Sequence, residues 1–316
     1  MKVFLAYLLD LIFGDPEGYP HPVRLIGSLI SKEERIIRKY AKNPKALKLA
    51  GFFMCFFTTT LAYAVTYISI YLAGFINHYF AYLIEVAFIY TTLATKDLAR
   101  AAYSVYTPLK KKDLKAAREN LALIVSRDTE NLEDKDIIRG VLETVSENIS
   151  DGIIAPMFYA FLGGAPLAMF YKAASTLDSM VGYKNEKYKD LGFASAKLDD
   201  LLNFIPARIT GLLIVISSFL LGYDYKNSFK IFIRDRLKHE SPNSAHGEAA
   251  LAGALGVELG GLNYYFGKPV IKPKLGDKKE ELSLKHINSS VKIMYMTSFI
   301  GLIVFYLFEI FFKKLI

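Results

Sequence analysis

Apolar residues come along this chain in long blocks, not in short alternating runs. Residues 49–73 carry no charged side chain, and residues 76–95 carry one, Glu85. Residues 204–222 carry one, Arg208, and residues 293–312 carry one, Glu309. Each block has about the 20 residues an α-helix needs to cross the hydrocarbon core of a bilayer. A fifth block, 153–171, is equally apolar but is interrupted by Gly163-Gly164-Ala165-Pro166. Residues 3–13 are apolar as well. Asp10 breaks that run, Gly14-Asp15-Pro16 follows it, and no small-x-small cleavage site is present, so it reads as a retained short helix in or against the membrane. The pattern predicts an all-α fold: a polytopic helical integral membrane protein of the cell membrane, with amphipathic cytoplasmic helices, built as one membrane-embedded domain over residues 1–316.

The polar stretches have their own periodicity. Ile138, Val141, Leu142, Val145 and Ile149 make one apolar stripe at helical spacing, while Glu143 and Glu147 share another face that Asp151 extends. Residues 107–120 predict an exposed helix with a Thr-Pro start. Residues 226–240 predict an amphipathic helix with Asp235 and His239 four apart, ended by Ser241-Pro242-Asn243. Residues 246–259 predict a helix of small residues, with Ala249/Gly253 and Ala252/Gly256 suited to close helix approach and Gly260-Gly261 as its cap. Residues 267–285, rich in Lys and Pro, predict a solvated loop. No internal repeat and no soluble domain boundary is evident.

Charge adds a direction. The balance is 39 − 31 = +8. Lys and Arg crowd 24–48, 96–139 and 226–292, while the turn at 74–77 carries none. The positive-inside rule accounts for this surplus without nucleic acid and places the charged loops in the cytoplasm. The first two blocks then form a hairpin with its tip outside. The single Cys55 lies in an apolar block, so no intrachain disulfide and no thiol-ligated metal is expected. If 153–171 crossed the membrane, Asp151 and Asp178 would lie on opposite sides. A re-entrant hairpin at the Gly-Gly-Ala-Pro break returns both ends to the cytoplasm, and a second partial insertion is then needed to keep the topology consistent.

Charged groups at the edge of apolar segments are costly and usually functional. Glu147-Asn148-x-x-Asp151-Gly152 offers hard oxygen ligands within two helical turns, which suits Mg²⁺. Lys172, Asp178 and Lys184 flank hydroxyls and a glycine, a phosphate-handling pattern with no Walker sequence in it. Asp199, Asp200 and Asn203 share one helix face, with Arg208 beyond. Arg24, after a Pro-rich turn, suits a carboxylate or phosphate, and Asp15 suits a metal. Arg127 reads first as an ion pair beside a helix cap and second as a phosphate contact. Asn243 and Glu248 suit a substrate or a second metal.

These segments together resemble a known family. GDP…HPVRLIG (14–27), RDT (127–129), ETVSENISDGIIAPMFYAFLGGAPLAMFYKAASTLDSMVGYK (143–184), SAKLDDLLNFIPARITG (195–211) and RDRLKHESPNSAHGEAALAGALGVELGG (234–261) resemble, in order, the CobD/CbiB family of membrane cobinamide(-phosphate) synthases. Ser244-Ala245-His246 departs from the family's Ala-Gly pattern, which counts against an essential role for His246. The resemblance implies ATP-dependent ligation of adenosylcobyric acid to (R)-1-amino-2-propanol or its O-phosphate. It implies ATP as co-substrate, Mg²⁺, the lipid bilayer and other corrinoid-pathway enzymes as partners, and a cytoplasmic active site. On this reading Glu147, Asp151 and Asp178 are catalytic. Asp151, Asp178, Asp199 and Asp200 hold the metal, and Arg24, Lys172, Lys184, Arg208 and Asn243 hold substrate or phosphate. The rival expectations are an intramembrane Mg²⁺-dependent phospho- or prenyltransferase, whose Asp spacings are not found cleanly here, and a transporter, which predicts paired broken helices where only one break is evident.

Overall fold

The computed structural model describes residues 1–15, 21–265 and 267–315. Pro16, expected in the turn after the first helix, lies outside the described residues. Helices dominate: α1 (Lys2–Phe13), α2 (Pro22–Tyr40), α3 (Pro44–Ile76), α4 (His78–Tyr90), α5 (Thr95–Lys110), α6 (Leu114–Ala122) and α7 (Asp134–Ile149). A π-helical turn, Ser150–Ile154, leads into α8 (Ala155–Val181), followed by α9 (Phe193–Leu202), α10 (Phe204–Leu220), α11 (Tyr225–Asp235) and α12 (Ala245–Leu255). A β-hairpin, β1 (Leu259–Tyr265) with β2 (Lys268–Leu275), precedes the long α13 (Leu284–Leu315). Contacts divide the chain into two compact units. Unit 1 is Met1–Ala94, Ala155–Asn203 and Phe305–Ile316; unit 2 is Thr95–Ile154 and Phe204–Val304.

Three helical segments are long and apolar enough to cross a membrane: Pro44–Ile76, Asp134–Val181 and Leu284–Phe311. The pair α9 and α10, bent by 49°, supplies a fourth if it counts as one broken span. The outward faces of α3, α10 and α13 carry Phe52, Phe56, Phe75, Leu212, Phe219, Phe299 and Phe308, all exposed. Such a surface is stable only against lipid. The protein is thus an all-α, polytopic membrane protein, as the apolar blocks predict.

Unit 1 packs α2, α3, α4 and α9 against α8 or α3. Its core is Ile26, Ile30, Met54, Met169, Leu177, Val181 and Leu191. The expected break in α8 is present. Gly163 and Gly164 leave the helical conformation, Gly164 at φ 68°. A continuous α-helix would hold residues 159 and 171 about 18 Å apart. Instead the rings of Tyr159 and Tyr171 stack with centroids 5.1 Å apart. The chain therefore doubles back at the glycines, and the arm before them, Ala155–Gly163, reaches only ~12 Å, part of a bilayer's thickness. Only glycine suits position 164, because a Cβ there would sit 2.8 Å from the Glu85 carboxylate in addition to the positive φ. Glu85, the lone charge of its block, is paired with Lys2 at 2.5 Å.

The second apolar block does not become a full span. Its helix, α4, has 13 residues and ends at Tyr90, short of the length a crossing needs. The expected hairpin of two complete spans is corrected accordingly: α3 is long and apolar enough to cross, and α4 packs on α1, α3 and α8.

Unit 2 is built on α7, α10, α11 and α12. The small residues of α12 work as their spacing predicts. A Cβ on Gly247 would lie 2.6 Å from the Ser146 carbonyl oxygen of α7, and one on Gly253 would lie 2.7 Å from the Asn227 carbonyl oxygen of α11. Three local expectations are corrected here. Gly256, at φ 65°, caps α12, while Gly260 and Gly261, at φ 82° and 85°, belong to β1. The stretch expected as a loop from 267 is strand β2, paired antiparallel with β1 from Leu259↔Leu275 to Tyr265↔Lys268. Pro269 and Pro273 concealed it, yet prolines are tolerated where a two-stranded ribbon has free edges. The helix expected over 107–120 is two: α5 runs through Pro108, and α6 starts afresh at Asp113, whose side chain caps Ala116 N–H.

Candidate functional site

The polar centre of unit 2 grows out of α7. Its helical register puts Glu143 and Glu147 on one side, and the π-turn after it widens the backbone at Asp151, a distortion frequent at functional sites. Glu143 is anchored from three directions. Arg127 Nη2 lies 2.9 Å from its Oε2, Gly260 N–H donates to its Oε1 at 2.8 Å, and Arg139 Nε stands 3.8 Å away. Arg127 also donates to the Asn263 side chain in β1. The first reading of Arg127, as an ion pair, agrees with this buried contact to Glu143.

Around that anchor lie groups with less complete partnering. Glu248, on α12, is 3% exposed. Burial, then the neighbouring Glu143 and Glu147, hold its carboxyl well above the usual carboxylate range, with Lys272 and Arg127 opposing. Lys272 comes from β2. Burial works against its charge, but Glu248, Tyr265, Glu143 and Glu147 outweigh it and raise its pKa. His239 Nδ1 is 3.7 Å from Glu248 Oε1 and 3.0 Å from Ser244 Oγ. Burial, then Lys272, lowers its imidazole to about 4, keeping it neutral. Glu147 is exposed, and Lys272 and Glu143 act on it electrostatically. Glu143, Glu147 and Glu248 thus act electrostatically on Lys272 without an ion pair to it among the described residues, beside a neutral histidine. A site of this kind can hold an ammonium group and take a proton from it.

Arg208, near the start of α10, donates to Asn243 Oδ1 at 3.3 Å, so these two expected substrate contacts are brought together. Asp151 and Glu147 belong to unit 2 with them.

Unit 1 holds the rest. Asp199 Oδ2 accepts from Asn203 Nδ2 at 3.0 Å, and Asn203 Oδ1 accepts from the buried Tyr171 hydroxyl at 2.9 Å. Tyr159, stacked on Tyr171, donates to the Leu202 carbonyl. The doubled-back hairpin therefore fixes the Asp199 side chain. Asp200 is paired with Lys197 at 3.3 Å. Asp178 is half-buried, and Gly182 lies so close that a Cβ would fall 1.9 Å from Asp178 Oδ1. Lys172 is half-buried, and Lys184 and Arg24 are exposed, Arg24 in the first turn of α2. His21 approaches Asp15 at 3.2 Å.

Among the described residues no group of three or more His, Cys, Asp or Glu is gathered as a resident metal site would require. Mg²⁺ arriving with a phosphate ligand takes one or two carboxylates and fills its remaining positions with water and phosphate oxygens, a need that the carboxylates of unit 1, Asp178, Asp199 and Asp200, meet without Asp151 of unit 2.

The site residues that sequence reasoning missed are Glu143, Lys272 and His239. Glu143 was visible as the first of the Glu143/Glu147 row. Lys272 gave no signal, being one of several lysines between prolines.

A polytopic helical membrane protein with a buried carboxylate–lysine centre is the class that fold and site define. The chain belongs to the CobD/CbiB family, whose model, described as CobD/Cbib protein, matches residues 3–294. It is 52% identical to the cobalamin biosynthesis protein CobD of Clostridium perfringens over 304 residues, 96% of each chain. It is 47% identical to the cobalamin biosynthesis protein CbiB of Salmonella paratyphi B, covering 95% of this chain and 94% of that protein. With the CobD of Clostridium tetani the identity is 45% over 96% of each chain. No solved structure matches the chain.

Proposed function

We propose that this protein is an enzyme of cobalamin biosynthesis that forms an amide. It joins the propionate carboxylate of adenosylcobyric acid to (R)-1-amino-2-propanol or its O-phosphate, with ATP as co-substrate. The names of the relatives support the pathway. The observation that supports the reaction class is the buried Glu248 beside the neutral His239, 3.7 Å away, with Lys272 acting electrostatically on Glu248.

A carboxylate is a poor acyl donor, so ATP transfers its γ-phosphoryl group to it, giving an acyl phosphate and ADP. The amine nitrogen then bonds to the acyl carbon as phosphate leaves, and the nitrogen gives up a proton. Glu248, whose surroundings make its carboxylate a stronger base than an ordinary glutamate, takes that proton directly or through Glu147. Lys272 and the cations Arg24, Lys172, Lys184 and Arg208, with Asn243, bind and orient phosphate and carboxylate oxygens. Mg²⁺ would be held by one or two carboxylates, drawn from Asp178, Asp199 and Asp200 in unit 1 or from Asp151 in unit 2. When bound, that ion neutralises charge on the transferring phosphoryl group. The reaction takes place on the cytoplasmic side of the membrane.

Glu248→Gln tests the proton-accepting role. The expected result is a fall in kcat of about 100-fold or more, with little change in the KM for ATP. Unchanged kcat across the pH profile removes Glu248 from the mechanism. Asp151→Ala and Asp178→Ala test the metal role, and full Mg²⁺-dependent ligation in either variant overturns it for that residue.

A further inference from the structure

Beside the carboxylate centre, unit 2 gathers a second set of groups with the opposite charge. Arg208 and Arg236 stand close enough to repel each other. Among the described residues, no carboxylate lies within ion-pair distance of either. Each guanidinium rests over an aromatic ring, Arg208 over Phe204 at 3.5 Å and Arg236 over Phe232 at 5.7 Å. The buried Nε of Arg236 has no hydrogen-bond partner.

His246 completes the set. It is fully buried, its ring packs edge-on to Phe232, and its Nδ1 lies 3.2 Å from the Asn243 carbonyl oxygen. A carbonyl can only accept, so Nδ1 carries the proton. Nε2 is then the open edge of the ring, and it has no partner. The charged groups within reach of His246 are Arg208 on α10 and Arg236 just after α11, both cations. Burial, then Arg208, holds the imidazole at about 4, with Arg236 adding to the effect. α12 begins at Ala245, and its N-cap, Ser244, makes no side-chain capping bond. Two guanidiniums with no carboxylate in ion-pair distance among the described residues, Arg208 bonded to the Phe204 carbonyl and Asn243 Oδ1, stand with an unpartnered buried imidazole nitrogen, and Glu248 in the first turn of α12 is the acidic group of that helix start.

We propose that Arg208, Arg236, His246 and Asn243 form a phosphate-binding subsite, taking a phosphate or pyrophosphate group from solution or from a lipid headgroup. The planar forks of the two arginines suit phosphate oxygens. Nε2 of His246 accepts the remaining proton of a monoprotonated phosphate, or binds a proton as the anion arrives. The inference deepens the ligase reading by assigning where a phosphoryl group sits. It rests on that reading for the ligand's biological identity, but its test is a binding measurement that needs no turnover.

The test uses the full chain in a non-ionic detergent and phosphate-free buffer, titrated calorimetrically with inorganic pyrophosphate near neutral pH. The wild type is expected to saturate. Arg236→Gln and His246→Asn are expected to weaken binding about tenfold or more, the scale of one lost charge-assisted contact. Arg236→Lys, which keeps charge but not the fork, falls between. Gel-filtration profile and thermal midpoint identify any variant that fails to fold, and His246→Asn carries the test if Arg236→Gln does. A second arm measures thermal midpoints in nanodiscs of phosphatidylglycerol and of phosphatidylcholine. Stabilisation of wild type but not of the variants by phosphatidylglycerol alone, without pyrophosphate binding, assigns the subsite to a lipid headgroup. If folded variants bind pyrophosphate within about twofold of wild type, or if neither ligand separates wild type from variants, the proposal is overturned.

Discussion

Replacing Arg127 by Leu tests whether the carboxylate centre is held by its buried ion pair. The two side chains are 4% and 9% exposed and meet at 2.9 Å. At an effective dielectric near 20 such a pair attracts by roughly 6 kcal/mol at its contact distance. Breaking it strands Glu143 beside Glu147 and Glu248, with Arg139 at 3.8 Å and Lys272 as the remaining cations. Removing one partner of a buried pair costs about 3–5 kcal/mol. At roughly 2–4 °C per kcal/mol, Arg127→Leu lowers the thermal midpoint by about 6–20 °C. Glu143→Leu strands Arg127 and also removes the acceptor for Gly260 N–H, adding about 1–3 kcal/mol. The double variant loses both charges and is less destabilised than the sum of the singles, with a coupling of about 2 kcal/mol or more. The assay is the unfolding midpoint of detergent-purified protein at fixed scan rate for all four members of the cycle. An Arg127→Leu midpoint within about 2 °C of wild type, or additive singles, refutes the reasoning.

Other predictions follow from the same geometry. Gly164→Ala forces a Cβ to within 2.8 Å of Glu85 at φ 68° and is expected to lower stability by about 1–3 kcal/mol, read as a drop in thermal midpoint; an unchanged midpoint contradicts the tight hairpin. His239 and His246 are neutral in the fold, with pKa values near 4 against 6.5 for the unfolded chain. Their stabilisation is complete above pH 6.5 and is lost as pH falls towards 4, by roughly 3 kcal/mol each at the upper end. Glu248 has the opposite sign, its raised pKa costing stability as pH climbs from 4.5. His246→Asn should therefore flatten the acid limb of a midpoint-against-pH curve, and an unchanged limb counts against the buried neutral imidazole. Tyr171→Phe removes the donor that fixes Asn203, and through it Asp199; about 1 kcal/mol of stability is expected to go, with kcat falling while the KM for the amine holds.

The elements that depend on local composition were legible in the sequence. The uncharged run of α3, the long C-terminal helix, the small-residue face of α12 and the Gly163-Gly164 break are each written in adjacent residues. Tertiary contacts decided the others. Residues 76–95 carry one charge, Glu85, yet the helix stops at Tyr90 and packs on protein, and hydropathy does not distinguish packing from crossing. The β-hairpin was hidden because Lys and Pro in β2 mimic a solvated loop. Its pairing relies on the positive-φ glycines Gly260, Gly261 and Gly267 and on a partner strand. The candidate site shows the same division. Glu147 and Asp151 stand out as carboxylates at a membrane edge. Lys272 joins Glu143 and Glu147 across more than a hundred residues, and no local pattern announces that meeting.

The most direct test of the central claim is to incubate the purified protein with adenosylcobyric acid, Mg²⁺·ATP and the amine, free or phosphorylated, and to count ADP and amide together. One ADP released for each amide formed, with neither product when the corrinoid or the amine is omitted, is the result the account predicts. ATP hydrolysis indifferent to the corrinoid, or turnover of a lipid substrate with no corrinoid present, contradicts it.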